Sequence, residues 1–393
     1  MRRPPTMGTV VSTPVDGSTW LTEAAERIAT RAERELEALV VVSSPSGDRH
    51  GAEEALAVCA ALLPDEAAVE RPECSSPDHA PDLLARLRGT GAGRLLLLGH
   101  VDTVVAHADH RPLTRHGDRL AGSGAVDMKG GVVLALGVLR HLASHPERYA
   151  EVALLLVCDE EWRTAPFAHA ERFRGWDACL CFEAGQQAPG GAEGVIVRRK
   201  AAGTLKVTAT GASAHSGSAP DRGRNALLAL ARTAECVAAL HAPAGPERLT
   251  AVPTVMRSDE AFNVVPAAGE LFCDLRADDA QAFGTALAAV PAEVGGATLH
   301  AELVRVWPGM DSRAPTAPLL AAATAQLGRP VVGTERGGAS DASHVATVVP
   351  VTVDGLGPRG GGAHSPSEYV LAPTLRERAE VALAVSAAGL AGG

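Results

Sequence analysis

Two styles of hydrophobic patterning alternate along the chain. Apolar residues recur at helical spacing from Ser18 to about Val42, with Leu21, Ile28, Leu36 and Leu39 on one stripe. A second helix is predicted over Glu53–Leu63. Short, continuously apolar runs follow at Leu95–Leu98, Glu151–Cys158 and Ala178–Phe182. Strands that are apolar on both sides belong to a parallel sheet covered by helices on each face. Between the first two runs lies DMKGGVVLALGVLRHL. Its apolar face is Val132, Leu136, Leu139 and Leu142, and Asp127 is placed to cap it.

The middle of the chain reads differently. Thr204–Thr210 (TLKVTAT) alternates with period two, so one face of that strand is wet. A helix at Asn225–Leu240, strands at Leu249–Arg257 and Glu270–Arg276, a helix at Asp279–Val290 and a strand near Thr298–Val306 come next. That β-α-β-β-α-β order is the split βαβ pattern of a small open sandwich. Helices near Pro318–Leu327 and Leu375–Leu390, with short strands near Val331 and Val351, then resume the first style. The expected fold is α/β: a largely parallel sheet with helices on both faces (residues 1–200 and 310–393), plus an inserted α+β domain (201–309).

Composition narrows the class. Of 393 residues 46% are apolar but only 3% aromatic, so the core is built from Ala, Val and Leu. A net charge of −10 argues against nucleic acid and anionic membranes as partners. No apolar run approaches the roughly 20 residues of a membrane helix. The N-terminal MRRPPTMGTVV begins with arginines but lacks an apolar segment of signal length. The expectation is a cytoplasmic protein with a loose N-terminal tail and Met7 as an alternative start. Seven cysteines, an odd number without CxxC spacing, read as reduced and mostly buried.

Ligands of an open parallel sheet bind beyond the carboxyl ends of its strands. His100 and Asp102 follow Leu95–Leu98 in LLLLGHVDTV. Asp159, Glu160 and Glu161 follow the second run, and Glu183 follows the third. Asp127 sits at the turn of GSGAVDMKGG, and His364 in the glycine-rich GGGAHSPSEYV. Any one of these has a plain structural explanation. Two histidines and several carboxylates at strand ends, with no thiolate, together form the ligand set of a hard-to-borderline divalent site. Asp102 lies too near His100 in the strand to be an obvious co-ligand and suits orienting the imidazole through its other nitrogen. One carboxylate is left over, as a hydrolytic metal site requires for its general base.

GHVDTV, GSGAVDMKGG, DEE, Glu183 some two dozen residues later and HSPSE, in this order, resemble the dizinc peptidase family that includes carboxypeptidase G, aminoacylase and succinyl-diaminopimelate desuccinylase. The resemblance covers nearly the whole chain beyond the tail. It implies two divalent ions, zinc first, with cobalt or manganese also fitting. His100 and Glu183 would hold one ion, Glu161 and His364 the other, and Asp127 would bridge them. Glu160 would take the proton of the attacking water and pass it to the leaving amine, while Asp102 orients His100. The inserted domain becomes a lid that forms a homodimer, and His215 of ASAHSG reaches the partner's active site to stabilise the oxyanion. Asn263 of FNVVP and Arg276 of CDLRA resemble the family's clamp for a substrate carboxylate; for Arg276 the alternative is a surface ion pair with Asp274 or Asp278. Ser340 and Asp341 of GGASDASH match a motif near the substrate, or are turn residues.

One departure stands out. After the paired glutamates the family usually has Gly-Ser; this chain has EEWRTAPF. Trp162 and Arg163 are expected to reshape the pocket wall and change substrate choice. The function implied is hydrolysis of an amide bond beside a free carboxylate on a small-molecule substrate, releasing a C-terminal amino acid such as glutamate or deacylating an N-acyl amino acid. A biosynthetic deprotecting amidohydrolase of the same fold is an alternative. A non-catalytic metal- or ligand-binding descendant is another, but it has no use for Glu160.

Overall fold

The computed structural model describes residues 19–259 and 261–391. The expected loose tail, Met7 and the Ser18 start of the first helix lie outside the described residues.

The main sheet has six strands in the order Ala68–Glu70, Leu83–Arg88, Glu151–Val157, Arg94–His100, Ala178–Cys181, Thr352–Val353. The last four run parallel; of the two on the opposite edge, which the patterning did not predict, each pairs antiparallel with the strand next to it. The central strand Arg94–His100 explains the architecture. Its side chains alternate between two cores, as the pleat demands. Leu95 and Leu97 face the helices Thr19–Val40, Gly130–Ala143 and Pro373–Ala391. Leu96 and Leu98 face Phe173, Trp176 and the short helix Asp341–Ala346. All four leucines are fully buried. With both faces covered, the strand is apolar from Leu95 until the sheet ends, and His100 is the last residue in it.

Asp127 does not cap the following helix. That helix starts at Gly130, and the Asp127 carboxylate is turned instead toward two imidazoles. A second small sheet joins Met310–Asp311, Glu193–Arg199, Val331–Arg336 and Gln186–Gln187. Glu193–Arg199 was not anticipated, because its apolar run is only three residues long before two arginines.

Residues 201–307 form a five-stranded antiparallel sheet with its own core. The order is Thr250–Ser258, Ala268–Ala277, Ala201–Thr210, Ala297–Trp307, Glu293–Val294. Ala226–Ala238 and Phe283–Ala288 cover one face; Asn225 caps the first of these helices by accepting from Leu228 N at 3.0 Å. Gly203 lies against the Phe283 ring, where a Cβ would approach to 2.8 Å. On the other face Thr204, Lys206 and Thr208 are partly exposed, as period two requires. Ala201 begins the sheet's central strand, and Gly309 follows its last long strand, Ala297–Trp307. The two crossings lie side by side: a Cβ on Gly309 would sit 2.1 Å from the Asp278 carbonyl and 3.4 Å from Ala201 N.

Among the described residues no helix is long and apolar enough to cross a membrane. All seven cysteines are free; five are buried, Cys74 is partly so, and Cys236 is exposed.

Candidate active site

The carboxyl ends of the parallel strands converge on one cluster. His100 is buried at the end of the central strand. Its Nδ1 lies 3.0 Å from the Asp102 backbone oxygen and 3.3 Å from Asp102 Oδ1. Its Nε2 faces Asp127 Oδ1 at 3.4 Å, Glu183 Oε1 at 3.6 Å and Glu160 Oε2 at 3.9 Å, and makes no hydrogen bond. A buried imidazole nitrogen without a partner, ringed by carboxylate oxygens, is the arrangement a divalent cation satisfies. His364 Nε2 lies 3.1 Å from Asp127 Oδ2 and 3.0 Å from Glu161 Oε2. Asp127 therefore stands between the two histidines, one oxygen toward each. His100, Asp127 and Glu161 each offer a ligand atom, all within 4.8 Å of one another. The donor set is nitrogen and oxygen only, which fits zinc, cobalt or manganese.

Two carboxylates hold this geometry from behind. Asp102 Oδ1 accepts from Glu160 N at 3.2 Å and Oδ2 from Glu161 N at 3.1 Å. The residue expected only to orient His100 thus also fixes the turn carrying the paired glutamates. Glu368, buried, accepts from Gly124 N, Val126 N and Asp127 N at 2.8–2.9 Å and clamps the Asp127 turn. Glu368 lies within the HSPSE motif, yet nothing in the sequence tells that its partners are more than 240 residues away. Burial raises its carboxyl to about 7. Lys129, also buried, donates to the Val42 carbonyl at 2.7 Å, and burial lowers its ammonium to about 8.

The cluster gathers more negative charge than its two imidazoles balance. Burial drives Glu160 well above the ordinary carboxylate range, with Glu183, Asp341 and Glu161 adding to the push. Burial, then Asp127, lifts Glu183 to about 8. Hydrogen bonds donated to Asp127 and Glu161 hold the His364 imidazole up at about 10. Burial opposes a charge on His100, but Asp102, Asp127 and Glu160 outweigh it and raise the imidazole well above its usual value. Asp127 is held low against its own burial by the two imidazoles. Protons here occupy the places of cations.

The inserted domain roofs the cluster. Ala202 pairs with Arg276 and Trp307, and Thr204 with Asp274 and Arg305, so these side chains share the face turned away from the domain's helices. They line a cleft of about 320 Å³ together with Glu160, Glu161 and His364. Arg276 Nε and Nη2 fork Asp274 at 3.0–3.2 Å, the ion-pair alternative, although the pair stands within the cleft. Asn263 is not beside it. Asn263 and His215 lie together at the other end of the domain, where Ser216 N donates to Asn263 O at 3.0 Å and His215 bridges Val264. The register from the Ala202–Arg276 pair to Thr210–Ala268 spans eight residues, about 26 Å of strand. Within one chain, then, His215 and Asn263 do not join the cluster, and the clamp of Asn263 with Arg276 is not assembled.

The segment after the glutamates divides its roles. Trp162 is 62% exposed and carries the Arg305 guanidinium at 5.0 Å from its ring centroid. Arg163 does not wall the cleft over Glu160 as expected; it turns inward, is 4% exposed, and bonds Asp159 and Asp341. Asp341 is thereby committed to an ion pair, and Ser340 donates to Asp354 at 2.6 Å. Arg336, missed in the sequence, ends the strand Val331–Arg336. Burial and Arg199 hold its charge down, while Asp354, Glu183 and Asp127 favour it.

Known proteins resemble this chain in sequence and fold. The sequence model of peptidase family M20/M25/M40 matches residues 96–387. Carboxypeptidase G2 of Pseudomonas sp. (strain RS-16) is 26% identical over 351 residues, 85% of this chain and 83% of that relative. Succinyl-diaminopimelate desuccinylase of Methylobacterium nodulans is 31% identical over 318 residues, 73% of this chain and 79% of that relative. The solved structure of aminopeptidase PepT from Bacillus cereus matches with a TM-score of 0.75 at 20% identity, covering 92% of this chain and 99% of that one. The M20 metallo-carboxypeptidase Sso-CP2 from Sulfolobus solfataricus matches with a TM-score of 0.67. The chain belongs to peptidase family M20/M25/M40 and is a peptidase or amidohydrolase of that family.

Proposed function

We propose that the protein hydrolyses an amide bond beside a free carboxylate, with two divalent metal ions, releasing a C-terminal amino acid such as glutamate or deacylating an N-acyl amino acid. The observation that carries this reading is the partnerless His100 Nε2 facing three carboxylates, with Glu160 left over beside it. His100 and Glu183 would hold one ion, Glu161 and His364 the other, and Asp127 would lie between them. Bound there, such ions supply Lewis-acid polarisation of the carbonyl and acidify water. The remaining work falls to protein groups. Glu160 lines the cleft and forms no short ion pair, so it is free to take the proton of the attacking water and deliver it to the leaving amine.

His215 Nδ1 accepts from Gly217 N at 3.1 Å and Ser218 N at 3.2 Å, which leaves the proton on Nε2 as a donor. Its distance from the cluster supports a role for it, and for Asn263, in the active site of a second copy, donating to the developing oxyanion. Residues 201–309 would then act as lid and dimerisation domain. Exposed Val252, Val255 and Met256 on the edge strand Thr250–Ser258, and exposed Leu227 and Leu228 on the helix that packs against that strand, support a dimer through this surface. A cytoplasmic location fits the same reading.

The test is Glu160→Gln. Metal content should stay at the wild-type level while release of amino acid from N-acyl amino acids and dipeptides falls by roughly 100- to 10,000-fold. Retained turnover with metal bound would remove Glu160 as the base.

A further inference from the structure

We propose that the free edge of the strand Ala297–Trp307 binds an extended peptide, so that the enzyme acts on the C-terminal end of a peptide chain whose upstream residues lie along that edge. The route into the site rests on the hydrolase reading; the peptide-binding edge does not.

The edge is open. Ala201–Thr210 pairs with the inner side of Ala297–Trp307 along most of its length. On the outer side Glu293–Val294 reaches only Thr298 and Ala297, and Leu299 N donates to Ala292 O at 2.8 Å. From His300 to Trp307 no strand lies outside, and among the described residues the backbone there bonds only Ala201–Thr210. Such a row of backbone donors and acceptors is a template for one more strand. Native sheets blunt a free edge with lysine or proline, yet Val304 and Val306 stand 43% and 45% exposed on this one.

The space beside the edge has room for a single strand. A groove of about 450 Å³ is lined by consecutive residues 303–308, so it runs along the edge itself and not over one face of the sheet. Phe167, Ala170, His344 and Thr347 of the catalytic domain wall its far side. That wall excludes a second sheet, and the bulge beside Val304 breaks the ladder, which favours a short peptide over a long sheet-to-sheet contact. Residues 303–307 extend over roughly 16 Å, the reach of about five peptide residues. The aromatic rings of Phe167 and Trp307 suit β-branched side chains. His344 Nε2 is buried without a hydrogen-bond partner, and a polar group of the peptide would satisfy it. The dimer surface proposed above lies on the opposite edge of the sheet, Thr250–Ser258, so the two do not compete. Arg305 and Trp307 line both this groove and the cleft over Glu160. The two spaces meet there, and a peptide on the edge is led to the cleft by its C-terminal end.

The experiment compares N-acetyl-Ala-Glu with N-acetyl-Val-Thr-Val-Ala-Glu by calorimetry on the zinc-loaded Glu160→Gln protein. The pentapeptide should bind at least about tenfold more tightly. N-methylation of alternate upstream amides should bring it within about twofold of the dipeptide in one register and leave it unchanged in the other, because only every second N–H of a strand faces its neighbour. Val304→Asp with Val306→Asp should erase the gain and leave dipeptide binding unchanged. A groove that merely accepts apolar bulk would keep the gain after N-methylation in both registers. No gain with length, a gain indifferent to N-methylation, or a gain that survives the two aspartates overturns the proposal. Hydrolysis by wild type separates the two readings. If it releases no amino acid from these peptides or from N-acyl amino acids while the gain and its register dependence hold, the hydrolase reading fails and the peptide edge stands. Release from the dipeptide with no gain in binding or rate from length leaves the hydrolase reading and removes the edge.

Discussion

His100 owes its properties to residues that hold it from both sides. Asp102 occupies Nδ1, so Nε2 is turned into the carboxylate ring, and the same Asp102 fixes the backbone of Glu160 and Glu161. Asp102→Ala should therefore disturb ligand and base together, weakening metal affinity or rate by roughly 10- to 100-fold. Metal titration and turnover of the variant check this; a change confined to one of the two would mean the backbone contacts are idle. The metal-free cluster also stores protons. His364, raised to about 10, and Glu183, raised to about 8, are protonated at neutral pH, and a cation must displace those protons. Metal affinity should therefore fall as pH falls below about 10 and more steeply below about 8, with protons released on binding. Calorimetry in buffers of different ionisation enthalpy measures that release directly.

At the scale of elements, the site was legible wherever the sheet itself did the placing. Parallel strands end on one edge, so a run of buried leucines followed by a histidine, or of aliphatics followed by Asp-Glu-Glu, locates the chemistry without knowledge of the partners. What stayed hidden was set by side chains meeting across the fold. Asp127 looks like a helix cap until His100 and His364 claim its carboxylate. Arg163 looks like a wall residue until Asp341, 178 positions later, draws it inward. His215 and Asn263 match motifs of the site, but the ten-residue pairing of Ala201–Thr210 carries them away from it. The groove beside the site also makes a prediction. His344 is packed between Phe167 and Trp307, and burial lowers its imidazole from 6.5 to about 4. The unfolded chain thus takes up a proton near pH 6.5 that the folded chain refuses until about pH 4. Stability is unaffected above that window and declines as pH falls through it, by on the order of 3 kcal/mol in all. Denaturant unfolding at pH 7 and pH 5 should show a shallower loss in His344→Phe than in wild type; an equal loss would assign the acid sensitivity elsewhere.

In the whole molecule, two rigid sheets meet across a pair of adjacent crossings at Ala201 and Gly309, with the cluster between them. The Trp162–Arg305 and Arg163–Trp307 stacks, 5.0 and 5.1 Å between guanidinium and ring, tie the last strand of the inserted domain to the catalytic sheet. If a second copy completes the site, placing charge on the exposed edge by Val255→Asp with Met256→Asp should yield monomers that keep their metal and lose most turnover. Sedimentation and activity measured on the same sample decide it, and fully active monomers would contradict the role of His215 in a second copy. The account as a whole stands on a cation-dependent hydrolytic centre, and one titration tests that most directly: release of amino acid from N-acyl substrates as zinc is added back to chelator-stripped protein. The account predicts no release at the start and a rise that saturates near about two equivalents per chain. Release that is already complete in the stripped protein and unchanged by added zinc would contradict it.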